Sequence, residues 1–158
     1  MPQFETRHRV AHSAEAMFDL VADVEAYPQF VPLCERLVVR ARRQEGEKQI
    51  LVADMTIGYK VIRETFTSQV TLDHPALMIR ADYLDGPFRS MENLWTFVPA
   101  GEGQSDIGFH IAYEFKSRAF ALVMGTMFDR VFRTFSDAFE KRADVIYGKP
   151  DAAGEGKP

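Results

Sequence analysis

Residues 117–147 read SRAFALVMGTMFDRVFRTFSDAFEKRADVIY, and the way they fold decides the architecture. Phe120, Met124, Met127, Phe128, Val131, Phe135 and Phe139 recur at three- and four-residue spacing, the period of one face of a helix. Ser117 supplies an N-cap, and Gly148-Lys149-Pro150 supplies a stop. At 1.5 Å per residue the helix is about 45 Å long. Its apolar surface is broad, because Phe132 widens the stripe, so it needs a wide apolar partner.

The residues before it supply that partner. Period-two patterning begins at Leu37, with Leu37, Val39 and Ala41 on one face and Arg40 and Arg42 on the other. Leu51, Ala53, Met55 and Ile57 share a face in the next run, and strand-like runs follow at 61–72, 76–84, 88–98 and 106–115. Turn chemistry separates them at Glu45-Gly46-Glu47, His74-Pro75, Asp85-Gly86-Pro87 and Ala100–Gly103. Short connections between consecutive strands imply an antiparallel meander. Upstream, residues 3–11 alternate as a further strand, and Ser13 caps a helix over 14–25. Pro28 and Pro32 allow at most a short helical turn in the following YPQFVP. The expected fold is α+β: a curved antiparallel sheet of about seven strands wrapped around the long C-terminal helix, the helix-grip arrangement. Residues 1–148 form the expected domain, and DAAGEGKP within 149–158 reads as a disordered tail.

Composition narrows the function. The chain has 158 residues, 46% of them hydrophobic, with a net charge of −4 that gives no global case for DNA. A single cysteine, Cys34, excludes an internal disulfide framework. No stretch reaches the length of a membrane span, and the charged, alternating N-terminus is unlike a secretory signal. A cytoplasmic protein is expected, with peripheral contact at the inner membrane left open.

Catalytic and metal chemistry find little support. His8 and His12 are four apart, but on a strand that distance is about 13 Å, too far to share an ion, so no metal is expected. Cys34 has no evident activating partner and reads as buried and inert. No covalent cofactor is implied. Glu64 and Ser68 share the face of Ile62, Phe66, Val70 and Leu72, while Asn93 shares that of Met91, Trp95 and Phe97. A carboxylate or amide buried there either pairs with a neighbour or meets the polar head of a ligand. The Phe/Met stripe likewise reads as core or as cavity lining. Arg36, Arg40, Arg42 and Arg43 read as a solvated outer face, or as a contact for anionic lipid or RNA.

YPQFVPLC at 27–34, IGYKVIRETFTSQV at 57–70, DGPFRSMENLWTF at 85–97 and FEKRADVIYG at 139–148 together resemble the coenzyme-Q-binding START-domain family, within the polyketide-cyclase/START-like superfamily. The likeness covers residues 3–148. It implies a START-like helix-grip fold with a tunnel between sheet and helix, and ubiquinone as a bound ligand in support of respiratory electron transport, without conversion. By position, the entrance falls at Tyr27, Phe30, Val31, Pro32 and the Asp85–Phe88 loop, including Pro87 and Phe88. The isoprenoid tail follows Phe120, Met124, Phe128 and Val131 beneath Trp95 and Phe97, with Glu64, Phe66, Asn93, Met127 and Phe135 completing the lining. Two rivals stand beside it. The ribosome-association toxin (RatA) group is so similar that ribosome binding through the outer arginines is one; a cyclase or hydratase using Glu64 as acid or base is the other.

Overall fold

The alternating runs become seven strands: β1 (Gln3–Val10), β2 (Cys34–Glu45), β3 (Lys48–Tyr59), β4 (Ile62–Asp73), β5 (Met78–Asp85), β6 (Phe88–Pro99) and β7 (Ser105–Phe115). In the computed structural model, which describes residues 3–148, they form one antiparallel sheet in the order β1-β7-β6-β5-β4-β3-β2. The expected tail lies outside the described residues. Between β1 and β2 come helix α1 (Ala14–Ala22) and a 3-10 helix (Val24–Gln29), and α2 (Arg118–Tyr147) closes the chain.

The helix expected over 14–25 is shorter than its pattern suggests. Ser13 caps it as expected, its hydroxyl accepting from the Ala16 amide at 3.1 Å. Pro28 lacks an amide hydrogen, so the chain tightens after Ala22 into a 3-10 turn that carries Tyr27 and Pro28. Helix α2 matches its pattern closely. The Ser117 hydroxyl accepts from the Phe120 amide at 3.1 Å, and Gly148 ends the helix at a positive φ of 91°.

Bulges correct the strict alternation. In β2 the register slips between Val39 and Ala41, leaving Arg40 as the extra residue. Ala41 then pairs with Val52 and Arg42 with Leu51, whose side chain is buried in the concave face. Arg40 and Arg42 therefore do not share the outer face expected of them. Arg42 turns inward and reaches Glu25 of the 3-10 helix at 2.7 Å. A second slip, at Arg89 in β6, lets both Phe88 and Met91 face the concave side although they are three residues apart.

Aromatic rings fill the concave face. Phe88 stands at their centre, with Phe66, Tyr83, Phe115 and Phe128 rings 5.1–5.9 Å away. Helix α2 packs on β1, β7 and α1, and leaves the β2–β4 wing facing it across a gap.

Candidate functional site

That gap is a cavity of about 110 Å³. Its floor comes from the inward faces of adjacent strands: Ala53, Met55 and Ile57 from β3, Phe66, Ser68 and Val70 from β4, Ile79 and Ala81 from β5, and Met91, Asn93 and Trp95 from β6. Cross-strand pairing brings them level, since Val70 faces Ala81 and Ala81 faces Asn93. The roof is Phe128, Phe132, Phe135 and Phe139 of α2, and Val24 and Tyr27 close one end.

Three polar side chains interrupt this apolar wall. The Tyr27 hydroxyl donates to the Val21 carbonyl at 2.5 Å, and burial, followed by the charges of Cys34 and Asp23, raises its pKa above the ordinary phenol value. The Asn93 amide nitrogen donates to the His110 carbonyl at 2.8 Å, and its side-chain oxygen, an acceptor, has no hydrogen-bond partner among the described residues. Ser68 is buried between Ala53 on β3 and Tyr83 on β5, and its hydroxyl finds no hydrogen-bond partner among the described residues. A buried hydroxyl without a partner costs free energy, so this one is suited to a water or a ligand.

A curved sheet gripping a terminal helix over an apolar cavity is the setting in which the comparisons with known proteins fall. Residues 10–140 match the family described as polyketide cyclase / dehydrase and lipid transport. The chain belongs to that family. Within reach of it, a Vibrio cholerae protein named ribosome association toxin RatA is 32% identical, with 94% of this chain and all of the relative covered. A Xenopus laevis protein, coenzyme Q-binding protein COQ10 homolog B, mitochondrial, is 34% identical over 88% of this chain, which spans 57% of it. The solution structure of the 18 kDa protein CC1736 from Caulobacter crescentus superposes with a TM-score of 0.77 at 30% identity, covering 94% of this chain and all of that one. These two relatives thus differ in kind, one named for ribosome association and the other for coenzyme Q binding.

Of the residues expected at a tunnel or its entrance, seven lie in the cavity wall: Tyr27, Phe66, Phe88, Asn93, Trp95, Phe128 and Phe135. The others stand elsewhere. Phe97 packs edge-on against Phe18 of α1, beyond the Trp95 end. Glu64 is half-buried opposite Ile57, one inward position nearer the β3–β4 turn than Phe66. Phe120, Met127 and Val131 centre about 90° around α2 from the four roof phenylalanines, at 3.6 residues per turn, and Met124 is buried in the core. Val31 is core, whereas Phe30 and Pro32 border a separate outer groove beside Ala138 and Arg142. Pro87 accepts the Lys116 amide at its carbonyl, 3.0 Å away.

Sequence reasoning missed the polar fastening of α2. His8 meets Glu140 at 2.6 Å and His12 meets Asp144 at 2.7 Å, so the two four-residue spacings match each other across the elements. Asp137 joins His8 and Glu140 with ligand-type atoms within 4.8 Å, on the surface and away from the cavity. The outer arginines are largely engaged: Arg40 reaches Asp54 at 3.4 Å and Arg43 reaches Glu45 at 2.8 Å.

Proposed function

We propose that the protein binds one apolar, ring-bearing lipid in this cavity, with ubiquinone as the chosen candidate, and carries it unchanged in support of respiratory electron transport. The carrying observation is the apolar wall holding an unpartnered Ser68 hydroxyl and a half-used Asn93 amide. A quinone ring offers carbonyl acceptors to the first, and a quinol offers a hydroxyl to the second. A cavity of 110 Å³ is of the order that admits a single aromatic ring. The isoprenoid chain would leave through the gap between α2 and the β2–β4 wing. Each methylene is worth about 0.8 kcal/mol relative to water. A bilayer offers the chain nearly the same, so exchange is close to balanced and selectivity falls on the ring.

Catalysis has weaker support. The wall contains no carboxylate, histidine or thiol, and Glu64, which a cyclase or hydratase would use, stands off it. Among the described residues no helix is long and apolar enough to cross a membrane, which suits peripheral rather than integral contact. The second reading is ribosome association, favoured by the Vibrio cholerae relative matched along its whole length. It is weakened by Arg40, Arg42 and Arg43, which already hold carboxylates. Organic extraction of the purified protein followed by mass spectrometry separates the two. A stoichiometric isoprenoid quinone supports the carrier. An extract free of lipid, with the protein pelleting on ribosomal subunits, sinks it.

A further inference from the structure

Antiparallel order decides which loops share an end of the sheet. β3 passes to β4 at Tyr59–Ile62, β5 passes to β6 at 85–88, and β7 passes to α2 at Lys116 and Ser117, all at one end. Large apolar side chains stand in solvent there. Val61 is 94% exposed, Leu122 and Val123 in the first turns of α2 are 85% and 65% exposed, and Leu84 is 54% exposed. Pairing between β4 and β5 stops at Thr67 and Asp85, and that between β2 and β3 stops at Cys34 and Ile57, so the tip of the β3–β4 hairpin passes both neighbours and carries Val61 beyond the sheet. This end is also the rim of the cavity. Phe66 and Phe88 of the cavity wall touch ring to ring at 5.6 Å, and Gly86 of the β5–β6 turn lies against Phe66.

The charge is arranged to match. Lys60, Lys116 and Arg118 belong to two of these three connections and make no ion pair among the described residues, while the third carries one acid, Asp85. The opposite end carries Glu47 and Glu102 without an ion pair among the described residues, while its Glu45, Asp73 and Glu15 are met by Arg43, Lys48 and His74. A chain of net charge −4 thus presents one end that is apolar and cationic.

We propose that this end docks on an anionic lipid bilayer, with Val61, Leu84, Leu122 and Val123 entering the interfacial layer and Lys60, Lys116 and Arg118 meeting headgroup phosphates. The proposal rests on the apolar-ligand reading of the cavity and adds the surface from which that ligand is taken. The other exposed apolar run, Val145 to Tyr147, has mixed charge beside it, Lys141 and Arg142 against Asp137 and Asp144. Asp144 precedes it, and the Tyr147 hydroxyl is raised by burial and then by the nearby Asp19 and Asp23. An RNA partner would use the cations but would leave four protruding apolar side chains in water.

Flotation of the full chain with phosphatidylcholine vesicles, with and without phosphatidylglycerol, tests the docking. Leu122→Asp with Val123→Asp should lower the vesicle-bound fraction at least tenfold. Lys60→Glu, Lys116→Glu and Arg118→Glu together should abolish the preference for phosphatidylglycerol, whereas Val145→Asp with Ile146→Asp should float as wild type. Binding of a short-chain ubiquinone without vesicles, read from Trp95 fluorescence, should be unchanged in all three variants, which also shows that they are folded. Wild type that fails to float, or rim variants that float undiminished, would overturn the docking while leaving the cavity reading intact. Ribosomal pelleting lost in the triple charge variant, without flotation of wild type, would overturn it in favour of RNA. Flotation that follows the expected pattern without any short-chain quinone binding would uphold the docking surface and refute the quinone reading alone.

Discussion

The Cys34 thiol shows how burial settles the chemistry of a side chain. Its burial pushes its pKa up to about 11, partly offset by a backbone hydrogen bond at Arg36 that favours the thiolate. At pH 8 such a thiol is about one-thousandth ionised, against about one-tenth at the ordinary value of 9.0. Alkylation by iodoacetamide at pH 8 should therefore run about a hundredfold slower in the native chain than in the chain unfolded in urea. It should accelerate as pH rises toward 11, because the reactive form is the one burial disfavours. Equal rates would mean that the thiol is exposed. The burial of Cys34 was legible in the sequence, but the place of Ser68 in the cavity wall was not. Ser68 and Glu64 look equivalent along β4, two inward positions apart, and only the closure of α2 decides that the hydroxyl lies over the void and the carboxylate beyond it. Ser68→Ala removes a buried hydroxyl that has no partner, so stability should change by less than about 1 kcal/mol. Quinone affinity should nonetheless fall several-fold in a fluorescence titration. A large loss of stability with unchanged affinity would make Ser68 structural.

Helix α2 is fastened unevenly along its length. The C-terminal half carries the His8–Glu140 and His12–Asp144 contacts, and Tyr147 donates to the Ala16 carbonyl at 3.0 Å. The N-terminal half is held by its Ser117 cap and by rings such as Phe120 on Phe115. Gly125 lies in that looser half, and a Cβ added there would meet nothing within 4 Å. Gly125→Ala should thus stabilise the protein by about 0.5–1 kcal/mol in urea unfolding, through helix propensity alone. Destabilisation would show that this half packs more tightly than its surroundings indicate. At this scale the helix was legible end to end, since its caps and its 3.6 period point the same way. Which of its faces meets the cavity was not. The methionine edge and the phenylalanine edge are both apolar, and the choice between them depends on how the sheet curls. Strand phase failed for a related reason: nothing local to Arg40 or Arg89 announces the extra residue that flips the side chains after it.

Across the whole molecule, the seven strands and two helices were readable because turn residues or period changes fall between most neighbouring pairs, the β3–β4 junction at Tyr59–Ile62 excepted. The cavity was readable only as a mismatch, more apolar surface on α2 than one concave sheet can cover. Its size and polar atoms come from contacts far apart in sequence, such as Val24 with Phe139 and Ala53 with Phe132 lining one void. A carrier role requires that void to accept a quinone ring. Trp95 is the chain's single tryptophan and lies in the cavity wall, so it reports occupancy directly. Lipid-free protein titrated with a short-chain ubiquinone should show saturable quenching of Trp95, and Ala81→Phe, which places a ring in the void, should abolish the saturable part while the protein remains folded. Quenching that rises linearly without saturation, or that is the same in Ala81→Phe, would contradict the account.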